Sequence, residues 1–190
     1  MVINPHKDCT WIYYEKHLSI NLTTDEGASY TYKTYFKLND LDYCPANHTP
    51  FSVGDAQLLT VYQEQLQMLL RNESTALEIG LNGVACERYM KPAVPATRFF
   101  YFSPEPVQEL RMGDIVTVVS KYGKTGHCLL LEPNDSDQLV RLMLLNEILV
   151  LYKGNKPEED RGYLQGDMIR LNRACVEAFN FKGSNRLRYA

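Results

Sequence analysis

The chain has 190 residues, 45% of them hydrophobic, with 20 Lys and Arg against 23 Asp and Glu and a formal net charge of −3. That length and apolar fraction suit one large domain or two small ones around a real core. The near-neutral balance argues against a general nucleic-acid binder, which concentrates cations against phosphates.

The start, Met1 to Asp8, has no apolar h-region of the kind a signal peptide carries. The longest apolar stretch, Leu142 to Tyr152, is interrupted by Asn146 and Glu147 and falls far short of the roughly 20 residues that span a bilayer. The expectation is a cytoplasmic protein without membrane insertion. The Asn-x-Ser/Thr sequences at Asn21, Asn47, Asn72 and Asn134 are then chance matches. Five cysteines, Cys9, Cys44, Cys86, Cys128 and Cys175, form no CxxC pair. An odd count without paired spacing reads as mostly buried thiols rather than a disulfide framework.

The first 36 residues predict strands. Trp11-Ile12-Tyr13-Tyr14 is an aromatic run, His17 to Leu22 alternates with Leu18, Ile20 and Leu22 on one face, and Tyr30 to Phe36 is rich in aromatic and β-branched residues. Short polar links with Asp25, Glu26 and Gly27 make this an antiparallel meander with one covered face. Residues 37–53 hold Pro45, Pro50, Asn39, Asp40, Asp42 and Asn47 and predict irregular structure.

Helical spacing follows. Leu58, Leu59, Tyr62, Leu66, Leu69 and Leu70 form a stripe, with Ser52 as N-cap and Asp55 three later as an acidic capping box. Arg71-Asn72-Glu73 interrupts it, and Ser74 is the expected cap of a second helix with Leu77, Leu81, Val84, Ala85 and Tyr89 on its stripe. Pro92 and Pro95 close that helix. Gly80 and Gly83 weaken it by roughly 1 kcal/mol each relative to alanine, which points to close packing against the first helix or the sheet.

Beyond Pro95 the pattern is of short strands: Arg98 to Phe102, Ile115 to Val119, His127 to Leu131, Gln138 to Leu144 and Ile148 to Tyr152. The links hold Gly123, Gly126, Pro133-Asn134-Asp135, Asn146 and Gly154, as in a small barrel or curled sheet. Two segments share a form, Met112-Gly113-Asp114-Ile115-Val116 and Gln165-Gly166-Asp167-Met168-Ile169, each a Gly-Asp turn feeding an apolar strand. Residues 168–181 fit a strand first, with helical spacing competing afterwards. The last nine residues carry Lys182, Arg186 and Arg188 without an acid and read as a frayed solvated end. The fold class is therefore α+β. An N-terminal α/β domain over residues 1–97, an antiparallel sheet with two helices, precedes a C-terminal mostly-β, barrel-like domain over 98–190, the boundary lying near residues 95–110.

No catalytic constellation rises above background. Gly123-Lys124-Thr125 has Val118 where a phosphate-binding loop needs glycine, and strands on both flanks; a tight hairpin turn accounts for it. Cys44 and His48 are two ligand types four apart in an irregular stretch, too few for a zinc site. His127 and Cys128 are adjacent in a strand and face opposite sides. Glu158-Glu159-Asp160 follows Pro157 as a solvated loop, not a glycosidase pair. No cofactor or metal is expected. The candidate partner-binding set is Arg88, Tyr89 and Lys91 at the end of the second helix, with Trp11 and Tyr13 of the first aromatic run. The basic pair favours a helix C-terminus electrostatically and equally suits an acidic partner. Trp11 is open to two readings, core filler or pocket lining.

Several patches in one order resemble a known family. They are Trp11-Ile12-Tyr13-Tyr14, Phe51-Ser52-Val53-Gly54-Asp55-Ala56, Leu81-Asn82 through Arg88-Tyr89-Met90-Lys91-Pro92 to Pro95, and Leu164-Gln165-Gly166-Asp167-Met168-Ile169 with Asn172. They resemble the bacterial cell division protein ZapC family. The resemblance implies a non-enzymatic cytoplasmic protein recruited to the division septum, where family members bind the tubulin-like GTPase FtsZ and promote lateral association of its filaments. It also implies an N-terminal α/β domain and a C-terminal β-rich one. The chain departs from the pattern over 132–162 and extends past the family's usual end. A monomer or weak dimer is expected to suffice. The alternatives are a small-ligand-binding or enzymatic protein with a pocket in the N-terminal domain, and a nucleic-acid module on the barrel.

Overall fold

A computed structural model describes residues 9–23, 27–70, 72–91, 93–133, 138–152 and 161–180. Asp25, Glu26, Arg71, Pro92, Asn134, Asp135, Gly154, Glu158 to Asp160 and the basic residues Lys182, Arg186 and Arg188 lie outside the described residues. The chain divides after Lys91 into two compact units.

In the first unit, β1 (Thr10–Tyr14), β2 (His17–Thr23), β3 (Ser29–Lys37) and the two-residue β4 (Thr49–Pro50) form an antiparallel sheet in the order β3-β2-β1-β4. The register sets Trp11 opposite Ile20 and Ile20 opposite Tyr32, so one row of large buried side chains crosses three strands. Two helices of 17 residues follow, α1 (Val53–Leu69) and α2 (Glu73–Tyr89).

The capping box of α1 forms as expected. Ser52 Oγ accepts from Asp55 N–H at 3.1 Å, and Asp55 Oδ2 accepts from Ser52 N–H at 2.9 Å. The cap of α2 is Asn72 rather than Ser74; its side chain accepts from Ser74 N–H at 2.9 Å. An amide oxygen two residues earlier serves the same orphan donors.

The one-sided stripe expected for α2 understates its burial. Ala76, Leu77, Ile79 to Cys86 and Tyr89 are all buried, as in a helix covered nearly all round. Gly80 permits this: a Cβ there would stand 2.9 Å from Leu59 Cδ1 and 3.4 Å from Gln63 Cγ of α1.

Asn82 is the one polar side chain in the buried run Ile79 to Cys86. It donates to Tyr32 Oη at 2.6 Å and to Glu78 O at 2.8 Å, and its Oδ1 accepts from Tyr35 N–H at 2.8 Å. The need arises in the sheet. Between the pairs Ser19–Lys33 and His17–Lys37 the register shifts, so three residues of β3 face Leu18 alone. Thr34 Oγ1 donates to Leu18 O at 2.6 Å and accepts from Phe36 N–H at 3.3 Å. Asn82 and Thr34 thus satisfy the backbone that this bulge takes out of the ladder.

The second unit has a five-stranded antiparallel sheet in the order β10-β7-β6-β5-β11 and a hairpin of β8 and β9. The strands are β5 (Ile115–Val119), β6 (Thr125–Glu132), β7 (Leu139–Leu144), β8 (Ile148–Tyr152), β9 (Arg161–Leu164), β10 (Met168–Asn172) and β11 (Val176–Ala178). The two edge strands, β10 and β11, are consecutive, joined by the 3-10 turn Arg173–Cys175. A flat sheet would hold such edges about 19 Å apart, while the intervening chain reaches at most about 14 Å. The sheet therefore curls toward a barrel around Val116, Val118, Leu130, Leu142, Leu144, Leu149, Ile169 and Val176.

The two Gly-Asp segments are equivalent turns. Gly113 and Gly166 have φ of +89° and +87°, a conformation that favours glycine. Asp114 Oδ2 accepts from Arg111 N–H at 2.7 Å, and Asp167 Oδ2 from Leu164 N–H at 2.8 Å. Gly113 N–H and Asp114 O bracket Leu130; Gly166 N–H and Asp167 O bracket Leu144 in the same way. The pairs Ile115–Leu129 and Met168–Met143 match as well. A local two-fold through the Leu129–Met143 pair thus relates β5-β6 to β10-β7.

Two expectations change, and one reading left open is decided. Arg98 to Phe102 is a 3-10 turn, Thr97–Phe99, followed by a single bridge from Phe100 to Ser120; only Phe100 of the run is buried, so its aromatics lack the alternation a strand needs. Residues 161–164 form a strand the sequence reading missed, too short and polar to signal one. After β10 the chain takes a turn and a short strand, not a helix.

Candidate partner-binding face

Of the five candidate residues, Arg88 and Trp11 meet at one carboxylate and Tyr89 packs on Trp11, while Tyr13 and Lys91 bond to the segment 39–47. Asp55, in the first turn of α1, is 1% exposed. Its Oδ1 accepts from Arg88 Nε at 2.6 Å, and its Oδ2 from Ser52 N–H and, at 3.3 Å, from Trp11 Nε1. Arg88 Nη2 also donates to Ser52 Oγ at 3.0 Å. One side chain therefore joins β1, the start of α1 and the end of α2. It balances a buried charge with a cation and neutral donors, as a buried carboxylate requires.

Trp11 is 0% exposed. Of its two readings the core filler holds, so it supports the face without touching a partner. Its ring meets Tyr89 edge-on at 5.3 Å and Phe51 at 5.6 Å. Tyr89 is buried too, and Tyr43 stacks on it with ring centroids 6.4 Å apart. Tyr43, 64% exposed, was not among the candidates: an isolated tyrosine in a proline-rich stretch carries no signal of its own. Tyr13 is half-buried. Its hydroxyl donates to Pro45 O and its N–H to Asn47 Oδ1 at 3.1 Å, which occupies β1 beyond its two-residue pairing with β4. Lys91 is exposed, with Nζ on Asn39 O at 2.7 Å. The Asp42 N–H on Tyr89 O at 2.8 Å and a Leu41–Met90 bridge tie residues 38–42 to the end of α2.

This face is less basic than the residues at the end of α2 suggest. Arg88 is paired with Asp55, and exposed Asp40 and Asp42 lie in the segment that Lys91 holds. What it presents is a fixed aromatic surface with directed donors.

Burial, and secondarily the Asp55 charge, push the Tyr89 phenol up to about 12; burial first and then neighbouring Cys44 do the same for Tyr13. A phenol whose pKa is raised on folding stabilises the fold fully below its unfolded value of 10.0, and that contribution is lost as pH rises toward 12. Thermal unfolding followed by Trp11 emission is expected to show a falling midpoint above pH 10, with a smaller fall for Tyr89→Phe. A flat profile in both proteins contradicts this.

The other chemical candidates find structural roles. Gly123-Lys124-Thr125 forms the β5-β6 hairpin turn, with Gly123 at φ +74°. His127 Nδ1 lies 3.3 Å from Thr117 Oγ1 on one side of β6 while Cys128 is buried on the other. Burial pushes the Cys128 thiol up, away from a reactive thiolate. Cys44 is exposed and the other four cysteines are buried, with no disulfide among the five. Among the described residues no three His, Cys, Asp or Glu side chains gather as metal ligands, and no helix is long and apolar enough to cross a membrane.

Comparison with known proteins places the chain. Residues 2–91 match the family model for the N-terminal domain of cell-division protein ZapC. The ZapC of Proteus mirabilis HI4320 is 26% identical over 187 residues, covering 89% of this chain and all of the relative. The ZapC of Xenorhabdus bovienii SS-2004 is 29% identical over 119 residues, 62% of this chain; the match spans 64% of that relative's length. The ZapC of Vibrio cholerae serotype O1 is 30% identical over 101 residues, 52% of this chain and 54% of the relative. These relatives support a cell-division role for this chain. Its similarity to the ZapC family runs through the N-terminal domain model and, with the Proteus mirabilis protein, along 89% of its length.

Proposed function

We propose that this protein binds FtsZ and promotes or stabilises lateral association of its filaments at the division septum, as a non-enzymatic cytoplasmic partner. The observation that carries the reading is the match to cell-division relatives, which includes the whole length of the Proteus mirabilis protein. The first unit supports it with a face whose exposed residues, Tyr43, Arg88 and Lys91, stand on a buried base of Trp11, Tyr89 and Asp55. A rigid base limits the side-chain entropy lost on docking. Bundling requires two contacts per protein, supplied by two faces of a monomer or one face of each subunit in a weak dimer. Because a filament repeats its site, modest single contacts gain by multivalency.

Pelleting with purified FtsZ tests the reading. The intact protein is expected to sediment with FtsZ in the presence of GTP, when filaments form, and to remain largely in the supernatant without FtsZ. Equal supernatant fractions with and without polymer contradict it.

A further inference from the structure

Arg88 uses only one side of its guanidinium within the fold. Nε donates to Asp55 Oδ1 and Nη2 to Ser52 Oγ, and the side chain is 43% exposed. Those atoms make up one edge of the planar group. The opposite edge, Nη1 with the second Nη2 hydrogen, has no partner among the described residues. Such an edge matches a carboxylate with two parallel hydrogen bonds. Gly54 flanks the same group: a Cβ there would stand 3.9 Å from Arg88 Nη2 and 3.6 Å from Ser52 Oγ, ordinary contact distances.

We propose that this outer edge of Arg88 is a carboxylate receptor for an acidic peptide segment of the partner, and that Asp55 is the positioning residue that aims it. The proposal rests on the partner-binding reading of this unit and specifies its chemistry. Asp55 also sets the character of the contact. Its charge cancels most of the long-range field of Arg88, so recognition runs through short directed hydrogen bonds and depends little on salt.

Trp11 provides the readout, because it is the single tryptophan of the chain and its indole shares Asp55 with Arg88. The intact protein is titrated with an end-blocked hexaglutamate peptide while Trp11 emission is followed. A saturable change is expected, with none for hexalysine. Gly54→Glu sets an internal carboxylate beside the Arg88 guanidinium, at a position where a Cβ makes only ordinary contacts. It is expected to weaken the response about tenfold or more, with an unfolding midpoint at or above wild type, while Gly54→Ala stays within about twofold. Arg88→Lys keeps the charge but not the fork and is expected to weaken binding at least about fivefold. Asp55→Asn is expected to leave weaker binding that now falls with salt, because the cation is unmasked. A purely structural Asp55 would not change the salt slope.

No saturable response in the wild type, or a Gly54→Glu protein that responds as the wild type does, overturns the receptor. So does an Arg88→Lys protein within about twofold of wild type. A peptide response in a protein that ignores FtsZ polymer leaves the receptor standing and removes FtsZ as its target. FtsZ pelleting that survives Gly54→Glu does the reverse.

Discussion

Replacing Asp55 with alanine is expected to lower the stability of the protein by about 3–5 kcal/mol, the usual cost of breaking a buried ion pair. Arg88 loses its counter-charge; being 43% exposed, it recovers part of that in water. The indole N–H of Trp11 has no such escape at 0% exposure, and Ser52 N–H loses its acceptor in the same step. A buried donor left unmet costs about 1–3 kcal/mol, and loss of a capping interaction about 1 kcal/mol. Urea unfolding followed by Trp11 emission measures the sum. Asp55→Asn, which retains an acceptor oxygen for Ser52 or Trp11, is expected to lose about half as much. Equal losses would mean that shape, not the carboxylate, holds the three segments. Arg88→Glu places a second carboxylate against Asp55 and is expected to be as damaging as Asp55→Ala, so charge reversal there cannot separate binding from folding. Lys91→Glu, at an exposed side chain bonded only to a backbone carbonyl, keeps that distinction.

The second large effect is expected at Asn82. Asn82→Leu keeps the number and branching of side-chain heavy atoms but removes the acceptor for Tyr35 N–H and the donors to Tyr32 Oη and Glu78 O. The predicted loss is about 2–4 kcal/mol, because the Tyr32 hydroxyl bond is buried and those of the Tyr35 amide and Glu78 carbonyl are partly so. Hydrogen exchange at the Tyr35 amide reports the event locally: its protection should fall while that of Ile20, within the ladder, follows only global stability. Adding Tyr32→Phe removes one of the unmet groups and is expected to return part of the loss, as coupled neighbours do. Additive losses in the double variant would show that Tyr32 and Asn82 act independently.

Both residues mark where sequence reading stops. The strands of the first sheet, the Ser52–Asp55 box and the α1 stripe follow from periodicity, caps and prolines within a few residues of one another. The contacts that make Asp55 a hub come from 44 and 33 residues away, and those of Asn82 from 47 and 50. A capping aspartate or an amide amid a buried helical run does not announce such partners. The bulge that calls for Asn82 is likewise invisible in the alternation of Tyr32, Thr34 and Phe36, because the shift lies in the pairing with β2. The basic reading of α2's end misjudged the local charge for the same reason: Arg88 is neutralised by a residue from another helix. In the second unit the Gly-Asp turns were legible because glycine at positive φ and an aspartate bonding three residues back are local devices. The short polar β9 was not.

The cell-division relatives support a cell-division role, and the proposal built on it is that this protein holds FtsZ filaments side by side. Electron microscopy of FtsZ polymerised with GTP, with and without the intact protein, tests it most directly. The expected result is single filaments alone and laterally associated bundles once the protein is added, with Lys91→Glu compared alongside. Filaments that remain single at saturating protein contradict the claim.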